Sequence, residues 1–175
     1  MMPRPAILLL AAALTAAGCA ADSQPADDCS QPLSPASMVE DAVVLGLAGA
    51  DGAAGDFRPV ADGGAMELEL GSQGGWMITP TLAIDRAMMA SDGACVHVTV
   101  EVALDGNPAM PPVGFDLMVP ELAGTDDHFY SEPLPVLLSY DLAELDARTA
   151  TISTTVEDDE VAASCQVAVR LENRR

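Results

Sequence analysis

The chain has no lysine: its seven basic residues are all arginine, set against 27 acidic residues for a formal net charge of −20. A phosphate backbone is bound by neutralising it with Lys and Arg, so this balance excludes nucleic acid as a partner. It equally excludes attachment to anionic lipid headgroups through a basic patch. Histidine occurs only as His97 and His128, neither at a spacing from Ser, Cys or carboxylates that marks a nucleophile and its base. There is no glycine-rich phosphate loop and no zinc pattern. These absences point to a protein that is not an enzyme and carries no cofactor. Aromatic residues are scarce at 3%, and no apolar run reaches the roughly 20 residues that a membrane-spanning helix needs.

Many acidic and few aromatic residues also describe disordered chains. Here apolar residues make up 50% of the chain, mean hydropathy is +0.26, and beyond the first forty residues the apolar positions alternate with polar ones. A chain of this size is expected to form one domain of ordinary size behind a short leader.

That leader begins with Arg4, continues through an apolar or small-residue run from Ala6 to Ala17, and closes on Gly18-Cys19. A charged start, a short apolar middle and a small-residue end make a secretory signal peptide. Ala16-Ala17-Gly18-Cys19 resembles the bacterial lipobox, in which cleavage falls before a cysteine lipidated on its sulfur. The family most often has Leu where this chain has Ala16. The resemblance implies a signal peptide over 1–18, Cys19 as a lipidated first residue, and a cell-envelope protein held to the membrane through that lipid. The other reading is plain secretion, with cleavage near Ala20 or Ala21. Residues 19–38, rich in Asp, Pro, Ser and Gln, read as a flexible acidic tether, which leaves 39–175 as the folded domain.

Within that domain, period-2 alternation predicts strands. Val43, Val44, Leu45 and Leu47 lie in a first strand over 40–48; Met66, Leu68 and Leu70 mark a second; Trp76 to Ile84 a third, interrupted at Pro80. The clearest strand places Val96, Val98, Val100, Val102 and Leu104 on one face, with Cys95, His97, Thr99, Glu101 and Ala103 on the other. Asp105-Gly106 ends it by turn chemistry. Val113–Val119, Pro133–Leu142, Thr149–Val156 and Ser164–Leu171 follow, with a helical turn at Leu142–Ala147 and a polar loop holding Asp126, Asp127 and His128. Seven or eight short strands, turns at intervals of about 8 to 12 residues and no amphipathic helix predict an all-β fold, an immunoglobulin-like antiparallel β-sandwich. The hairpin from Arg148 to Leu171 resembles the closing hairpin of bacterial immunoglobulin-like modules. Phe57 to Gly64, followed by Gly71-Ser72-Gln73-Gly74-Gly75-Trp76, resembles a pattern of uncharacterised Gram-negative lipoproteins and implies an address, not an activity. Physically, the glycines suit a tight turn and Trp76 suits a core anchor.

With Cys19 given to lipid, Cys29, Cys95 and Cys165 allow one disulfide in an oxidising compartment. Three pairings are open. Cys95 with Cys165 is preferred because both lie in strands, although their alternation parities differ. Asp92, Cys95 and His97, the 126–128 loop and Asp158-Asp159-Glu160 are all expected at one end of the sandwich, where loop carboxylates could hold calcium. No segment has the regular spacing of a calcium loop, and no metal ligand is assigned. The nine methionines suit core packing better than soft-metal binding. Two functions follow. The first is a lipid-anchored, non-catalytic module that binds an envelope protein, peptide or glycan through its loops or an edge strand. The second is a calcium- or other metal-binding envelope protein.

Overall fold

A computed structural model describes residues 37–48, 56–88, 95–118, 123–124, 127–158 and 161–173. The signal peptide, nearly all of the tether, Cys19 and Cys29 lie outside the described residues. The fold is all-β, as the alternation predicts. In chain order the strands are β1 (Ser37–Val39), β2 (Val43–Leu47), β3 (Arg58–Pro59), β4 (Gly64–Glu67), β5 (Glu69–Leu70), β6 (Trp76–Ile78), β7 (Thr81–Asp85), β8 (Cys95–Leu104), β9 (Asn107–Pro108), β10 (Val113–Met118), β11 (Ala123–Gly124), β12 (His128–Tyr130), β13 (Val136–Leu138), β14 (Thr149–Glu157) and β15 (Val161–Glu172). Among the described residues the one α-helical turn, α1 (Leu142–Leu145), falls inside the predicted helical segment.

The largest sheet runs β1-β15-β14-β8-β10, with β4 also on β15 and β9 on β8. A second sheet runs β11-β12-β7-β2-β3, and a third β13-β6-β5. The long pairings β8–β14, β14–β15 and β8–β10 are antiparallel. Both β1 and β4 join β15 in parallel, which the alternation alone could not show. The strand β1 takes in Ser37 and Met38, the last two residues of the segment read as tether.

The inward sets are those the period predicts. Val96, Val98, Val100, Val102 and Leu104 of β8 are buried, and so are Ala150, Ile152 and Val156 of β14. Register partners such as Val98 with Val156 and Val102 with Ile152 share that face. From the second sheet, Val43, Leu45, Leu82 and Ile84 meet them in the same core. Each fully buried Val, Leu or Ile contributes about 1.5–3 kcal/mol.

The predicted strand 76–84 is two strands in different sheets. It breaks at Thr79-Pro80, because proline has no N–H to give a ladder and a sheet interior excludes it. The carbonyl of Pro80 instead accepts from Leu134 N–H at 2.8 Å. After β8, Asp105 (φ 48°) and Gly106 (φ 82°) make a two-residue turn, with Leu104 paired to Asn107. Positive φ at both central residues is the type I′ requirement that Asp-Gly meets.

Candidate functional site

A cleft of about 380 Å³ opens where the three sheets meet. Its walls come from the end of β2 (Leu47, then Ala48), from β3 (Arg58), from β4 (Ala65 to Glu67), from β5 (Glu69) and from the end of β15 (Glu172), with Thr79 and Pro133 completing it. The volume lies in the range of small-ligand sites.

Local packing explains how these groups converge. β3 lies beside β2, with Arg58 opposite Leu47. Phe57 can lie on that strand because position 46 is glycine, where a Cβ would fall 2.4 Å from the Phe57 ring. The turn that follows is tied onto β15: Gly63 N–H donates to Ala168 O at 2.8 Å, and Ala168 N–H to Asp62 Oδ1 at 3.0 Å. That attachment sets β4 parallel to β15 and brings Glu67 level with Glu172. Thr79, at the break between β6 and β7, donates its hydroxyl to Glu69 Oε1 at 3.1 Å. Of the two segments singled out in the sequence, Phe57 to Gly64 supplies Arg58 to the cleft wall, and Gly71 to Trp76 contributes no lining residue. The second closes the β5–β6 turn, Gly71 N–H donating to Gly75 O at 2.8 Å, and Trp76 packs half-buried against the core.

Arg58 is distinctive among the described arginines. Arg86 stacks on Phe129, with its guanidinium carbon 4.2 Å from the ring centroid, Arg148 pairs with Asp105 and Arg170 with Glu172. Arg58 alone of these has neither a carboxylate nor a ring partner. In so acidic a chain, an uncommitted guanidinium on a cleft wall is a ready anchor for a carboxylate, which it can grip with two parallel hydrogen bonds.

The cysteines depart from the preferred pairing. Cys165 is a free thiol on the inward face of β15, opposite Thr154, and burial pushes its pKa above the ordinary value, with smaller opposing effects from the Leu45 backbone and the Thr154 hydroxyl. Cys95 lies on the outward face of β8, the face of His97. The whole of β14 separates the two strands: Cys165 is level with Thr154, which is level with Val100. The offset is then roughly 17 Å along the strand and about 10 Å across it, whereas bridged Cα atoms lie at most about 6.8 Å apart. That separation is the physical reason that Cys95 and Cys165 are not bridged, and the parity difference visible in the sequence points the same way.

His97 Nδ1 lies 2.7 Å from Asp116 Oδ1 on the outward face of the large sheet. Sequence spacing gave no sign of this partner, because β10 delivers it across the ladder from 19 residues away. The carboxylate orients the ring, but among the described residues no Ser, Thr or Cys is hydrogen-bonded to it. Also among these residues, no group of three or more His, Cys, Asp or Glu is placed to hold a metal ion. Of the acidic loops, Asp92, Asp126, Asp159 and Glu160 lie outside the described residues. Asp158 is buried and serves the β14–β15 turn, its Oδ1 accepting from Val161 N–H at 2.7 Å. No family model, curated protein or solved structure matches this chain.

Proposed function

We propose that this protein is a non-catalytic binding module of the bacterial cell envelope, held to the membrane by lipid on Cys19, that takes a protein, peptide or glycan partner in the cleft beside Arg58. The observation that carries the binding role is the uncommitted Arg58 guanidinium on a concave site in a chain otherwise dominated by negative charge. Loops and short edge strands on a rigid sandwich are a common place for recognition. The anchor rests on the resemblance of Ala16 to Cys19 to a lipobox, and on the lack of basic charge for any other attachment to anionic lipid.

A structural bridge between Cys29 and Cys95 belongs to the same proposal. Cys165 is free and Cys95 is not a free thiol; with Cys19 lipidated, Cys29 is the cysteine that remains. In an oxidising compartment this bridge ties the tether to the start of β8.

Mass spectrometry of the mature N-terminus, with and without Cys19→Ser, tests the anchor. A diacylated or triacylated Cys19 that keeps the protein in the membrane fraction is the expected result. An unlipidated chain starting at Ala21 or Asp22 overturns it.

A further inference from the structure

We infer that β10 is a docking edge for a second copy of this chain. The two strands pair antiparallel about a twofold axis, with Phe115 facing Phe115, Gly114 facing Asp116, and His97 of each copy reaching Asp116 of the other. This edge lies across the large sheet from β4, and the inference does not depend on the cleft.

The ladder shows that the edge is open. β10 ends the path β1-β15-β14-β8-β10, and among the described residues no strand pairs with its outer side. Ala109 N–H donates to Val102 O at 2.7 Å, so the even-numbered residues of β8 turn their main-chain polar groups toward β9 and β10. Val96, Val98 and Val100 therefore bond Leu117, Phe115 and Val113, which stand opposite them. The N–H and C=O groups of Gly114 and Asp116 then point outward, since these alternate along a strand. Val113–Met118 holds no proline and no basic residue, and no bulge breaks its register. Of the usual guards of a strand edge, Asp116 alone is present.

The residue order selects a second copy as the partner. A twofold axis at Phe115 sets Gly114 opposite Asp116 of the other copy on both sides of the axis. These are two hydrogen-bonded pairs, each exchanging both N–H···O bonds, and the self-complementary edge is what a twofold dimer requires. The same register sets Val113 against Leu117 and joins the two Phe115 rings on the inward side, where all three side chains are only half-buried in one copy. Sliding the strands by two residues instead can bring Asp116 against Asp116, which like charge disfavours.

His97 supplies charge complementarity across this seam. Its Nδ1 lies 2.7 Å from Asp116 Oδ1, and its ring covers Gly114, where a Cβ would fall 3.1 Å from Cε1 and 3.3 Å from Nε2. Among the described residues Nε2 has no hydrogen-bond partner. Opposed Cα atoms of a hydrogen-bonded pair lie about 5.5 Å apart, so the partner's Asp116 carboxylate comes within reach of Nε2 over the bare glycine. One carboxylate has acceptor sites for both imidazoles. The charged groups around the ring are Asp116, the partner's Asp116 and Glu157, which stands opposite His97 on β14. All three favour the imidazolium, so protonation strengthens the pairing. It also offsets, at the seam, the repulsion between two chains of net charge −20.

The test expresses the full chain with Phe115→Cys and, separately, with Leu117→Cys, and reads non-reducing gels. Facing Cα atoms of a non-hydrogen-bonded pair lie about 4.5 Å apart, within disulfide range, so Phe115→Cys should give a dimer band that reductant removes. Leu117→Cys should give none, because the two copies of that residue are four positions out of register, about 14 Å apart. Sedimentation velocity of the full wild-type chain in detergent gives the affinity. Self-association should be about tenfold tighter or more at about pH 5.5 than at about pH 8. His97→Ala should remove that difference, and Asp116→Ala should weaken the dimer about tenfold. Circular dichroism checks that each variant is folded. A folded wild type that stays monomeric, cross-linking at position 117 as readily as at 115, or an unchanged pH dependence without His97 would each overturn the inference. So would a different protein recovered with its strand on β10, which would give this edge a heterologous partner.

Discussion

Phe57 rests on the backbone of Gly46: a Cβ at position 46 would stand 2.4 Å from Phe57 Cε2 and 2.6 Å from the carbonyl oxygen of Arg58. The side chain of a core-flanking ring and the absence of one in β2 are therefore a single packing decision, and it fixes where Arg58 meets the cleft. Phe57 also packs on Tyr130 of β12, with ring centroids 5.3 Å apart.

Gly46→Ala should accordingly lower stability by about 1–3 kcal/mol, the usual result of forcing a methyl group into a filled site. Backbone and ring cannot both stay in place, so β3 must move. A chemical denaturation curve gives the loss, and NMR shifts at Arg58 and Pro59 report the displacement. An unchanged midpoint would contradict the contact.

On β14, Ile152 points into the core and is fully buried, whereas Ser153 points out and accepts from Gln166 Nε2 at 2.8 Å. Ile152→Ala should cost about 2–5 kcal/mol. Ser153→Ala should stay within about 0.5 kcal/mol. Thermal melts of both variants check the pair, and a reversed order would mean that the strand is out of register by one residue.

The thiol of Cys165 offers a pH test. Its folded-state pKa lies above the ordinary 9.0 because burial disfavours the thiolate. The native state then holds the proton more tightly than the unfolded state. This contribution to stability is complete below pH 9.0 and is lost as pH rises through the higher folded value. The denaturation midpoint of the wild type should thus fall more steeply above pH 9.0 than that of Cys165→Ala. In the native protein alkylation of Cys165 should also be slow, becoming fast in denaturant. Rapid native labelling would refute the inward placement.

At the β14–β15 turn, Asp158 is 2% exposed, its N–H donating to Val161 O at 2.9 Å and its carboxylate accepting from Val161 N–H. Asp158→Ala leaves the part-buried Val161 N–H without its acceptor, so a loss of about 1 kcal/mol is expected. Asp158→Asn keeps an acceptor and should recover most of it. If calcium protected the wild type from heat and chelator reversed this, the carboxylate would have a role beyond the turn.

The sequence determined the strand interiors. The valines of β8 leave little choice of face, since a one-residue slip would turn five buried side chains to water, and Asp105-Gly106 dictates a turn through backbone sterics alone. Local signals of this kind reach only a few residues. Tertiary structure decided what depends on distant partners: the handover between sheets at Thr79-Pro80, the parallel seating of β1 and β4 on β15, and the Asp116 partner of His97. It also separated Cys95 from Cys165, although parity already argued against their bond. The cleft belongs to this second class. Arg58, Glu69 and Glu172 share no motif that links them and span over a hundred residues of chain, and they line one cleft because Asp62 and Gly63 bind β15. Period and turn chemistry are properties of the chain near a residue, while a site is a property of which strands the folded core brings side by side.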